Sequence, residues 1–378
     1  MNPTHPPDES FMLRALDLAQ QGKYLASPNP RVGAVIVAEQ SGTPSIVGEG
    51  FHPCAGKPHA EIFALRNAGP AARGATLYVN LEPCCHHGKT PPCVDAILQA
   101  GIRRVVIGTQ DPFPEVSGKG ISILRDQGVI VDVGVCEMQC RELNRFFFSV
   151  HRRGRPWVIL KMAMSLDGKI ATRTGDSRWI SCDASRKIVH DLRAEVDAVL
   201  VGSGTALRDR PRLTARPAHL LPHEFHQPRR IILDRRGRLL SNLDCIQDLN
   251  AAPLEIIVGR DSVLDDKIHK DMPAKITRWP LADSDSALED LLRYFAKQDI
   301  QSLLIEGGQE IATSFLAAGL VDDIFLFIAP MLIGGRYAPS IFGGIGANSV
   351  RDALPFREIT MERVEKDILV RGRLSNLP

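Results

Sequence analysis

The sequence predicts an α/β fold divided into two domains. Short apolar runs rich in β-branched residues alternate with segments whose apolar residues recur at helical spacing, and this alternation is typical of α/β proteins. The chain has 378 residues, which at roughly 100–200 residues per domain is enough for two domains. The charged, turn-rich segment HRRGRP at 151–156 interrupts the alternation. We therefore expect one domain over residues 1–150 and a second over residues 151–378.

Strands and helices alternate through the first half of the chain. Turn residues bound the strands, and the helix after Pro58 stops at Gly69. The predicted strands cover residues 32–38, 45–50, 75–82, 103–109 and 129–134. The predicted helices cover residues 8–20, 59–69, 93–101, 120–128 and 136–150.

A second alternation begins after the charged segment. Its predicted strands cover residues 157–165, 197–203, 229–234, 254–259 and 301–306, and a final strand group starts at 322. Its predicted helices cover residues 185–195 and 309–319. No internal repeat and no low-complexity segment interrupts the pattern, so repeat architectures are not expected.

Composition excludes several classes of protein. The net charge of +2 shows no basic excess of the kind that nucleic-acid-binding domains carry. The sequence has no apolar run of about 18 residues and no signal-peptide pattern, so we expect a cytoplasmic protein with no membrane partner. The chain has eight cysteines, and clustered cysteines in such a protein more often bind a metal or react than form a disulfide framework.

The cysteine cluster 82-EPCCHHGKTPPC-93 and the upstream motif 58-PHAE-61 suggest a metal site. Cys84 follows a predicted strand, Cys93 opens the next helix, and His59 lies at the start of an earlier one. These three ligands would leave the fourth zinc position open for water, as in catalytic sites. Bound zinc lowers the pKa of that water, and Glu61 is placed to shuttle protons.

This arrangement resembles the zinc-dependent cytidine deaminase superfamily, whose signature is His-x-Glu followed by Pro-Cys and a further Cys. The resemblance implies a three-layer α/β domain in which Glu61 is the general acid/base and not a ligand. Eight residues separate Cys84 from Cys93 instead of the usual two. With NPRVGAVIV (29–37) and GFHPCAGKPHAE (50–61), this spacer resembles the deaminase half of the bifunctional riboflavin-biosynthesis deaminase–reductase family.

The same resemblance implies positions near a pyrimidine substrate. Asn29 and His52 match such positions, and Lys89 and Thr90 in the spacer match with less support. Two alternatives remain open at this point. A closed structural zinc site would take Cys85 or His86 as its fourth ligand, and Cys84 and Cys93 could instead form a disulfide. In the catalytic interpretation, the remaining spacer residues Cys85, His86 and His87 shape the pocket.

The second half contains a phosphate-binding pattern. The apolar strand at 301–306 runs into Gly307-Gly308 and then a helix, and backbone N–H groups at such a helix start bind phosphate well. A Gly–Gly pair is also a common tight turn, so this pattern alone does not decide. No G-x-G-x-x-G follows a strand, which argues against a Rossmann dinucleotide site.

Four further segments resemble the reductase half of the same family, in the family's order. They are LKMAMSLDGKIA (160–171), GDSRWIS (175–181), VGSGTALRDRPRLTAR (201–216) and LIEGGQEIA (304–312). The resemblance now covers nearly the whole chain. It implies a dihydrofolate-reductase-like α/β domain that uses NADPH to open the ribose of a phosphoribosylamino-uracil.

Site residues of the second half follow from this resemblance. The positions that match cofactor contacts are Ala163, Trp179, Thr205, Asp209, Gly308, Gln309, Glu310, Ile311, Ala312, Thr313 and Ser314, with Arg235 near another. The positions that match substrate contacts are Ser177, Arg193, Leu213, Arg216 and Glu306. Guanidinium groups suit a phosphate, although any single arginine could be a solvated surface charge, Trp179 a core residue and Asp209 a helix cap. Glu306 is the nearest candidate for an acid/base.

We therefore expect a two-domain enzyme that uses Zn²⁺ and NADPH. The first domain would deaminate 2,5-diamino-6-(ribosylamino)-4(3H)-pyrimidinone 5′-phosphate, and the second would reduce the ribosyl group of 5-amino-6-(5-phosphoribosylamino)uracil. A homo-oligomer and no nucleic-acid partner are expected. Two rival hypotheses are a nucleic-acid base deaminase with an appended binding domain, and a non-enzymatic scaffold stabilised by zinc.

Overall fold

The chain forms two compact α/β units. The computed structural model describes residues 6–40, 42–86, 91–239, 243–248, 250–260, 262, 274–279 and 285–378. The first unit comprises Met1–Arg153 together with Leu377–Pro378, and the second comprises Gly154–Asn376. Each unit has its own mixed sheet with helices packed on it, so the α/β prediction is confirmed.

The first unit is built on a five-stranded sheet of order β2-β1-β3-β4-β5. Its strands are β1 (Gly33–Gln40), β2 (Thr43–Phe51), β3 (Thr76–Leu81), β4 (Arg104–Thr109) and β5 (Ile130–Val133). Its helices are α1 (Pro6–Gln20), α2 (Ala60–Ala68), α3 (Cys93–Gln99), α4 (Lys119–Asp126), α5 (Glu137–Leu143) and α6 (Arg145–Arg153), with a short 3-10 helix at Gly69–Ala72. Strand β1 is antiparallel to both neighbours, and β3, β4 and β5 are parallel.

Helices cover both faces of this sheet. Alternate residues of a strand point to opposite faces, and in β1 Ala34 and Ile36 join a core cluster with α2, α3 and α4. Val35 and Val37 join a separate cluster with α1 and α5. The unit therefore has three layers, with α2 and α3 on the same side.

The prediction of one helix over 136–150 is wrong in detail, because the chain forms α5 and α6 with Asn144 between them. The buried side chain of Asn144 accepts from the Arg31 N–H (2.8 Å) and donates to the Arg31 carbonyl (2.9 Å). A side chain that bonds a distant backbone segment in this way favours a break between two helices. Helix α6 also includes residues 151–153, the first half of the charged segment that was expected to interrupt the alternation of strands and helices.

The second unit is built on a nine-stranded sheet of order β10-β9-β8-β7-β11-β6-β12-β14-β13. Its strands are β6 (Trp157–Ser165), β7 (Ala198–Gly202), β8 (Arg229–Asp234), β9 (Leu254–Gly259), β10 (Lys275–Trp279), β11 (Ser302–Glu306), β12 (Asp323–Ala329), β13 (Glu358–Val364) and β14 (Asp367–Arg373). Its helices are α7 (Asp183–Glu195), α8 (Ser203–Asp209), α9 (Asp244–Gln247), α10 (Asp285–Ala296) and α11 (Gln309–Ala317), with a 3-10 turn at Val350–Asp352. Neighbouring strands are parallel from β10 to β12, and the β13–β14 hairpin is antiparallel.

Buried residues on both sides of the second sheet form its core. One cluster joins β6, β7, β8 and β11 to α10 and α11 through residues such as Leu292, Phe295 and Phe315. On the opposite face, Val189 of α7 packs with Phe327 and Leu369. The carboxyl ends of the parallel strands β6, β7 and β11 therefore lie side by side, where open α/β sheets place their ligands.

Candidate active sites

Two helix starts and one loop bring the candidate zinc ligands of the first unit together. His59 is the N-terminal cap residue of α2, Cys84 lies in the loop after β3, and Cys93 is the first residue of α3. The His59 Nδ1 atom lies 3.2 Å from Cys93 Sγ and 3.5 Å from Cys84 Sγ. The three ligand atoms all lie within 4.8 Å of one another.

The donor set and its spacing fit a zinc ion. Tetrahedral bonds of about 2.1 Å to nitrogen and about 2.3 Å to sulfur place those two atoms about 3.6 Å apart, close to the distances found here. One imidazole and two thiols are also the ligand types that zinc prefers. Hydrogen bonding from the Cys93 thiol lowers the pKa of Cys84 to about 4, so a thiolate forms readily at this position.

Close approach of α2 to strand β2 sets the position of His59. A Cβ atom at Gly50 would lie 2.5 Å from the Ala60 carbonyl oxygen, so only glycine allows this helix start to touch the sheet.

Two residues that were not predicted from the sequence, Glu82 and Asp111, lie in the loops that follow β3 and β4. Buried Glu82 accepts from the N–H groups of Asp111 and Gly118 (3.2 and 2.9 Å), and burial raises the pKa of Asp111 to about 7.

Glu61 lies in the first turn of α2 and is only 3% exposed. Its Oε2 atom is buried and accepts no hydrogen bond within the described chain. Burial raises the pKa of this carboxyl group, and the nearby His59 partly opposes the shift. A carboxyl group with a raised pKa and an unused oxygen is suited to exchange a proton with a bound ligand.

Asn29 and His52 form a polar pair beside the ligands. Asn29 Nδ2 donates to His52 Nε2 (3.0 Å), and His52 Nδ1 donates to the Pro58 carbonyl (3.1 Å). Because the amide is a donor and the carbonyl an acceptor, His52 is neutral with its proton on Nδ1. Burial lowers the pKa of His52, which also favours the neutral imidazole. The His52 ring stands edge-on to His59 with 5.4 Å between centroids.

The described residues supply no fourth protein ligand to this cluster. The Cys85 thiol donates to the Glu115 carbonyl at 3.8 Å, and the His86 ring packs against Phe113. All eight cysteines are free, which removes the disulfide alternative for Cys84 and Cys93. Lys89 and Thr90, together with His87, lie outside the described residues.

In the second unit, charged candidate residues pair with each other at the carboxyl ends of the strands. Arg193 of α7 donates to both oxygens of Glu306 at the end of β11 (2.5 and 2.9 Å). It also donates to the Thr214 carbonyl (3.1 Å). Arg216 donates to Thr214 Oγ1 (2.5 Å), so Thr214 holds two arginines that were predicted to bind substrate.

Lys161 is a further charged group that the sequence interpretation missed. It lies on β6 directly beside Glu306 in the sheet register, and it sits in a motif that was noted only for the resemblance. Burial lowers the pKa of its ammonium group, although Glu306 opposes that shift. The apolar residues around it in sequence predict a buried strand, and a single lysine within such a strand does not by itself indicate a functional site.

The candidate cofactor residues surround a glycine turn and the start of α11. The Gly308 N–H donates to Thr205 Oγ1 (3.1 Å), which ties this turn to α8. Gly308 caps α11 without a side-chain hydrogen bond, so backbone N–H groups of the first turn suit a phosphate. A Cβ at Gly202 would lie 2.8 Å from Ile311, which shows how closely β7 and α11 pack. These features fit a phosphorylated dinucleotide such as NADPH.

The other residues of this group differ in how their side chains are used. Gln309 donates to Ser340 Oγ and to the Phe342 carbonyl (both 3.0 Å), and Thr313 accepts from the Gly343 N–H (2.8 Å). Ser314 donates to the Glu310 carbonyl, and Ala312 is fully buried in the core. Only the start of this helix therefore remains for a ligand.

Residues of the neighbouring loops complete the second site. Trp179 is 68% exposed, with the Arg186 guanidinium 4.5 Å from its ring centroid, so it is not a core residue. Ser177 Oγ lies 3.4 Å from Asp209 Oδ1. Leu213 is buried with a positive φ of 59°, which is uncommon outside glycine and occurs at functional sites. Ala163 packs with Phe327 on β12, and Arg235 is exposed after β8.

Comparison with known proteins gives the family. Residues 6–109 match the cytidine and deoxycytidylate deaminase zinc-binding region, and residues 156–370 match the RibD C-terminal domain. The riboflavin biosynthesis protein RibD of Aquifex aeolicus is 43% identical over 96% of this chain and 97% of that protein. None of the helices in the described part of the chain combines the length and apolar character needed to cross a bilayer.

Solved structures of similar proteins agree with this family. RibD of Acinetobacter baumannii superposes with a TM-score of 0.87 at 36% identity, covering 98% of this chain and 99% of that one. The diaminohydroxyphosphoribosylaminopyrimidine deaminase/5-amino-6-(5-phosphoribosylamino)uracil reductase of Thermotoga maritima gives 0.83 at 38% identity, covering 97% and 99%. The predicted fold class and the two cofactors, Zn²⁺ and NADPH, are thereby confirmed. The chain belongs to the RibD family of bifunctional deaminase–reductases of riboflavin biosynthesis.

Proposed function

We propose that residues 1–150 deaminate the phosphorylated diaminopyrimidine and that residues 151–378 reduce the resulting aminouracil. One observation supports the proposed deamination. The ligand atoms of His59, Cys84 and Cys93 lie within 4.8 Å of one another, beside the Oε2 atom of Glu61, which has no hydrogen-bond partner in the described chain. The substrates are those for which the Thermotoga maritima relative is named.

In the first reaction, Glu61 is proposed to move the protons. When bound at His59, Cys84 and Cys93, zinc makes a water molecule acidic enough to supply hydroxide near neutral pH. Glu61 is buried and its pKa is raised, so it would take a proton from the water, whose oxygen bonds to the ring carbon that carries the amino group. Glu61 would then pass that proton to the amino nitrogen as the C–N bond breaks. Neutral His52 and the Asn29 amide orient the pyrimidine ring, and the amino group leaves as ammonia.

In the second reaction, the chain is proposed to hold the sugar against the cofactor. NADPH supplies the hydride when it is bound at the Gly308 turn. Arg193 lowers the pKa of Glu306, which burial alone would raise, so Glu306 stays a carboxylate and is suited to bind sugar hydroxyls. Burial lowers the pKa of Lys161, so its ammonium group gives up a proton more readily than that of an ordinary lysine, and it is the proposed proton donor. The guanidinium group of Arg216 is proposed to bind the phosphate of the substrate.

We propose a cytoplasmic homo-oligomer that acts on small phosphorylated pyrimidines and not on nucleic acid. The net charge of +2 supports the last point, because binding to a polyanion depends on a basic face.

Stepwise assays of the full-length protein test the proposal. With the diaminopyrimidine phosphate alone, we expect ammonia release, and NADPH added afterwards should lose absorbance as it is oxidised. Removal of zinc with a chelator should abolish ammonia release. NADPH oxidation should persist when the deaminated intermediate is supplied directly, and zinc should restore the first step.

Two results would contradict the proposal. Ammonia release that is unchanged after complete zinc removal would rule out the His59–Cys84–Cys93 site. Loss of both activities on zinc removal, with tryptophan emission unchanged, would mean that the two reactions do not use separate sites.

A further inference from the structure

A half-buried histidine, His190, lies among the charged candidate residues of the second unit. It belongs to α7 and precedes Arg193 by one turn, so the two side chains are neighbours on the surface of this helix. The Arg193 guanidinium group pairs with Glu306 of β11 (2.5 Å). The guanidinium group of Arg216 donates to the His190 Nε2 atom (3.3 Å). His190 therefore links α7 to the loop segment that carries Arg216.

The imidazole of His190 is neutral and serves as a hydrogen-bond acceptor. An arginine can only donate, so the lone pair of Nε2 faces Arg216 and the ring proton is on Nδ1. Burial, followed by the charges of Arg193 and Arg216, lowers the pKa of His190 to about 4, and the carboxylate of Glu306 opposes this shift. The ring therefore keeps its lone pair near neutral pH.

Other contacts fix the backbone of the segment that carries Arg216. The side-chain amide of Gln227 accepts from the Ala215 N–H and donates to the Ala215 carbonyl (both 2.8 Å). The Arg216 side chain can still rotate about this anchored backbone, because arginine has many rotamers. Its Nη1 atom donates to the Thr214 hydroxyl (2.5 Å) and its Nη2 atom to His190. These two bonds together set the direction of the guanidinium plane.

The direction of this plane matters because Arg216 keeps its charge and several donors for a ligand. Thr214 and His190 are both neutral, and they use two of the five N–H donors of a guanidinium group. Burial, followed by the charges of Arg193 and Arg212, lowers the pKa of Arg216, which indicates that cations are crowded here. A phosphate dianion relieves this repulsion, and the other N–H groups of Arg216 can bind its oxygens as a fork.

We propose that His190 is a positioning residue for the substrate phosphate, because it holds Arg216 in the direction in which its guanidinium group binds that phosphate. This function of His190 rests on the reduction proposed for the second unit and on the phosphate contact proposed for Arg216. His190 lies outside the four segments that resemble the reductase half. Because His190 acts on the phosphate and not on the reacting sugar, its loss should weaken substrate binding more than it slows hydride transfer.

Two substitutions of His190 separate its hydrogen bond from its volume. His190→Leu removes the acceptor, whereas His190→Gln supplies an amide oxygen close to the position of Nε2. NADPH oxidation by the full-length protein is followed near neutral pH with 5-amino-6-(5-phosphoribosylamino)uracil. We expect His190→Leu to raise KM roughly 10-fold, as for the loss of a hydrogen bond to a charged group, and to change kcat less than about twofold. His190→Gln should restore most of the wild-type KM.

A double-mutant cycle tests whether His190 acts through Arg216. In an Arg216→Leu background, which has no guanidinium group to orient, adding His190→Leu should change KM less than about twofold. Calorimetric binding of the same substrate without NADPH should weaken in His190→Leu by the same factor as KM rises. The exposed His223→Leu is the matched control, and its KM should equal that of the wild type.

The possible failures can be told apart. A wild-type protein that does not oxidise NADPH with this substrate would overturn the proposed reduction and the function of His190 together. If NADPH is oxidised, a wild-type KM in His190→Leu, or an equal rise in the Arg216→Leu background, would overturn only the function of His190. Tryptophan emission reports the folding of the second unit, because all three tryptophans follow residue 156. If His190→Leu unfolds, His190→Phe, which keeps a flat ring without a nitrogen, replaces it.

Discussion

The candidate zinc site of the first unit and the candidate reductase site of the second differ in how the chain assembles them. His59 and Cys93 lie 34 positions apart in sequence, and the ligands lie at two helix starts and in one loop on a single sheet. The reductase candidates extend from Ala163 to Ser314 and come from strands, helices and loops across the unit. A metal site needs only a few side chains, and they come from a small set of residue types. Such a site can therefore be predicted from short sequence motifs more easily than a site whose residues are spread over a whole unit.

The two sites also differ in how they treat charge. In the first unit, Glu61 is buried and its Oε2 atom accepts no hydrogen bond within the described chain, which leaves this oxygen available to a ligand. In the second unit, Arg193 and Glu306 neutralise each other, so a substrate at the proposed site would bind among paired charges. Substitutions should therefore act mainly on chemistry in the first site and on stability as well as binding in the second.

The largest effect is expected for Glu61→Gln. Loss of the proton-transfer group should slow ammonia release about 10³-fold, while zinc content and NADPH oxidation with the supplied intermediate stay at wild-type values. The exposed Glu115→Gln is the matched control and should be neutral. A Glu61→Gln variant that keeps more than about a tenth of the wild-type rate would remove proton transfer as the function of this residue.

Glu306→Gln should destabilise the second unit. Breaking this largely buried pair leaves Arg193 without its counter-charge, which costs about 3 kcal/mol. Urea unfolding followed by tryptophan emission measures this, because the tryptophans lie only in the second unit. Glu289→Gln breaks the exposed pair with Arg293 and should cost less than about 0.5 kcal/mol. Equal effects of the two variants would contradict the contrast between the sites.

Gly50→Ala should disturb the first site from a distance. The added methyl group would meet the Ala60 carbonyl oxygen and the Phe63 side chain at 2.5 Å, and such overpacking costs about 2 kcal/mol. The displaced start of α2 carries His59 and Glu61, so zinc affinity and ammonia release should fall together. Gly204→Ala adds a methyl group with nothing within 4 Å and should be tolerated. A zinc affinity unchanged by Gly50→Ala would show that α2 is positioned in another way.

The smallest effect concerns His190, which accepts from Arg216. Burial, followed by the charges of Arg193 and Arg216, lowers its pKa from 6.5 to about 4. Between these values the unfolded chain binds a proton that the folded chain does not, so stability is complete above pH 6.5 and falls as the pH drops toward 4. Because this imidazole is only half-buried, we expect a loss of about 1 kcal/mol.

Comparison with a variant isolates that contribution. His190→Gln should remove about this much of the difference in second-unit stability between pH 7 and pH 4.5, as measured by urea unfolding. The exposed His223→Gln should leave the difference as it is in the wild type. Identical pH dependence in wild type and His190→Gln would show that other groups carry it.

Much of the fold could be predicted because strand and helix periodicities are local. The strand at 157–165 and the helix after Pro58 appear where their patterns place them. The predicted helix over 136–150 was wrong because the break at Asn144 depends on hydrogen bonds to Arg31, more than 100 positions away. Strand β10 was missed, since its residues alternate weakly and its pairing with β9 depends on the sheet.

The sequence by itself was enough to predict three candidate ligands and Glu61, because metal chemistry and the family resemblance limit which residues serve and how far apart they lie. It left a closed site with Cys85 or His86 as the fourth ligand open as an alternative. Only the tertiary structure decided which residues distant in sequence come into contact, because no local sequence pattern contains that information. Cys85 turned toward Glu115, and Lys161 came to lie beside Glu306 through the order of the strands. The same strand order left Ile359 and Met361 exposed at the edge of the second sheet, because which side of a strand is covered depends on the elements packed around it.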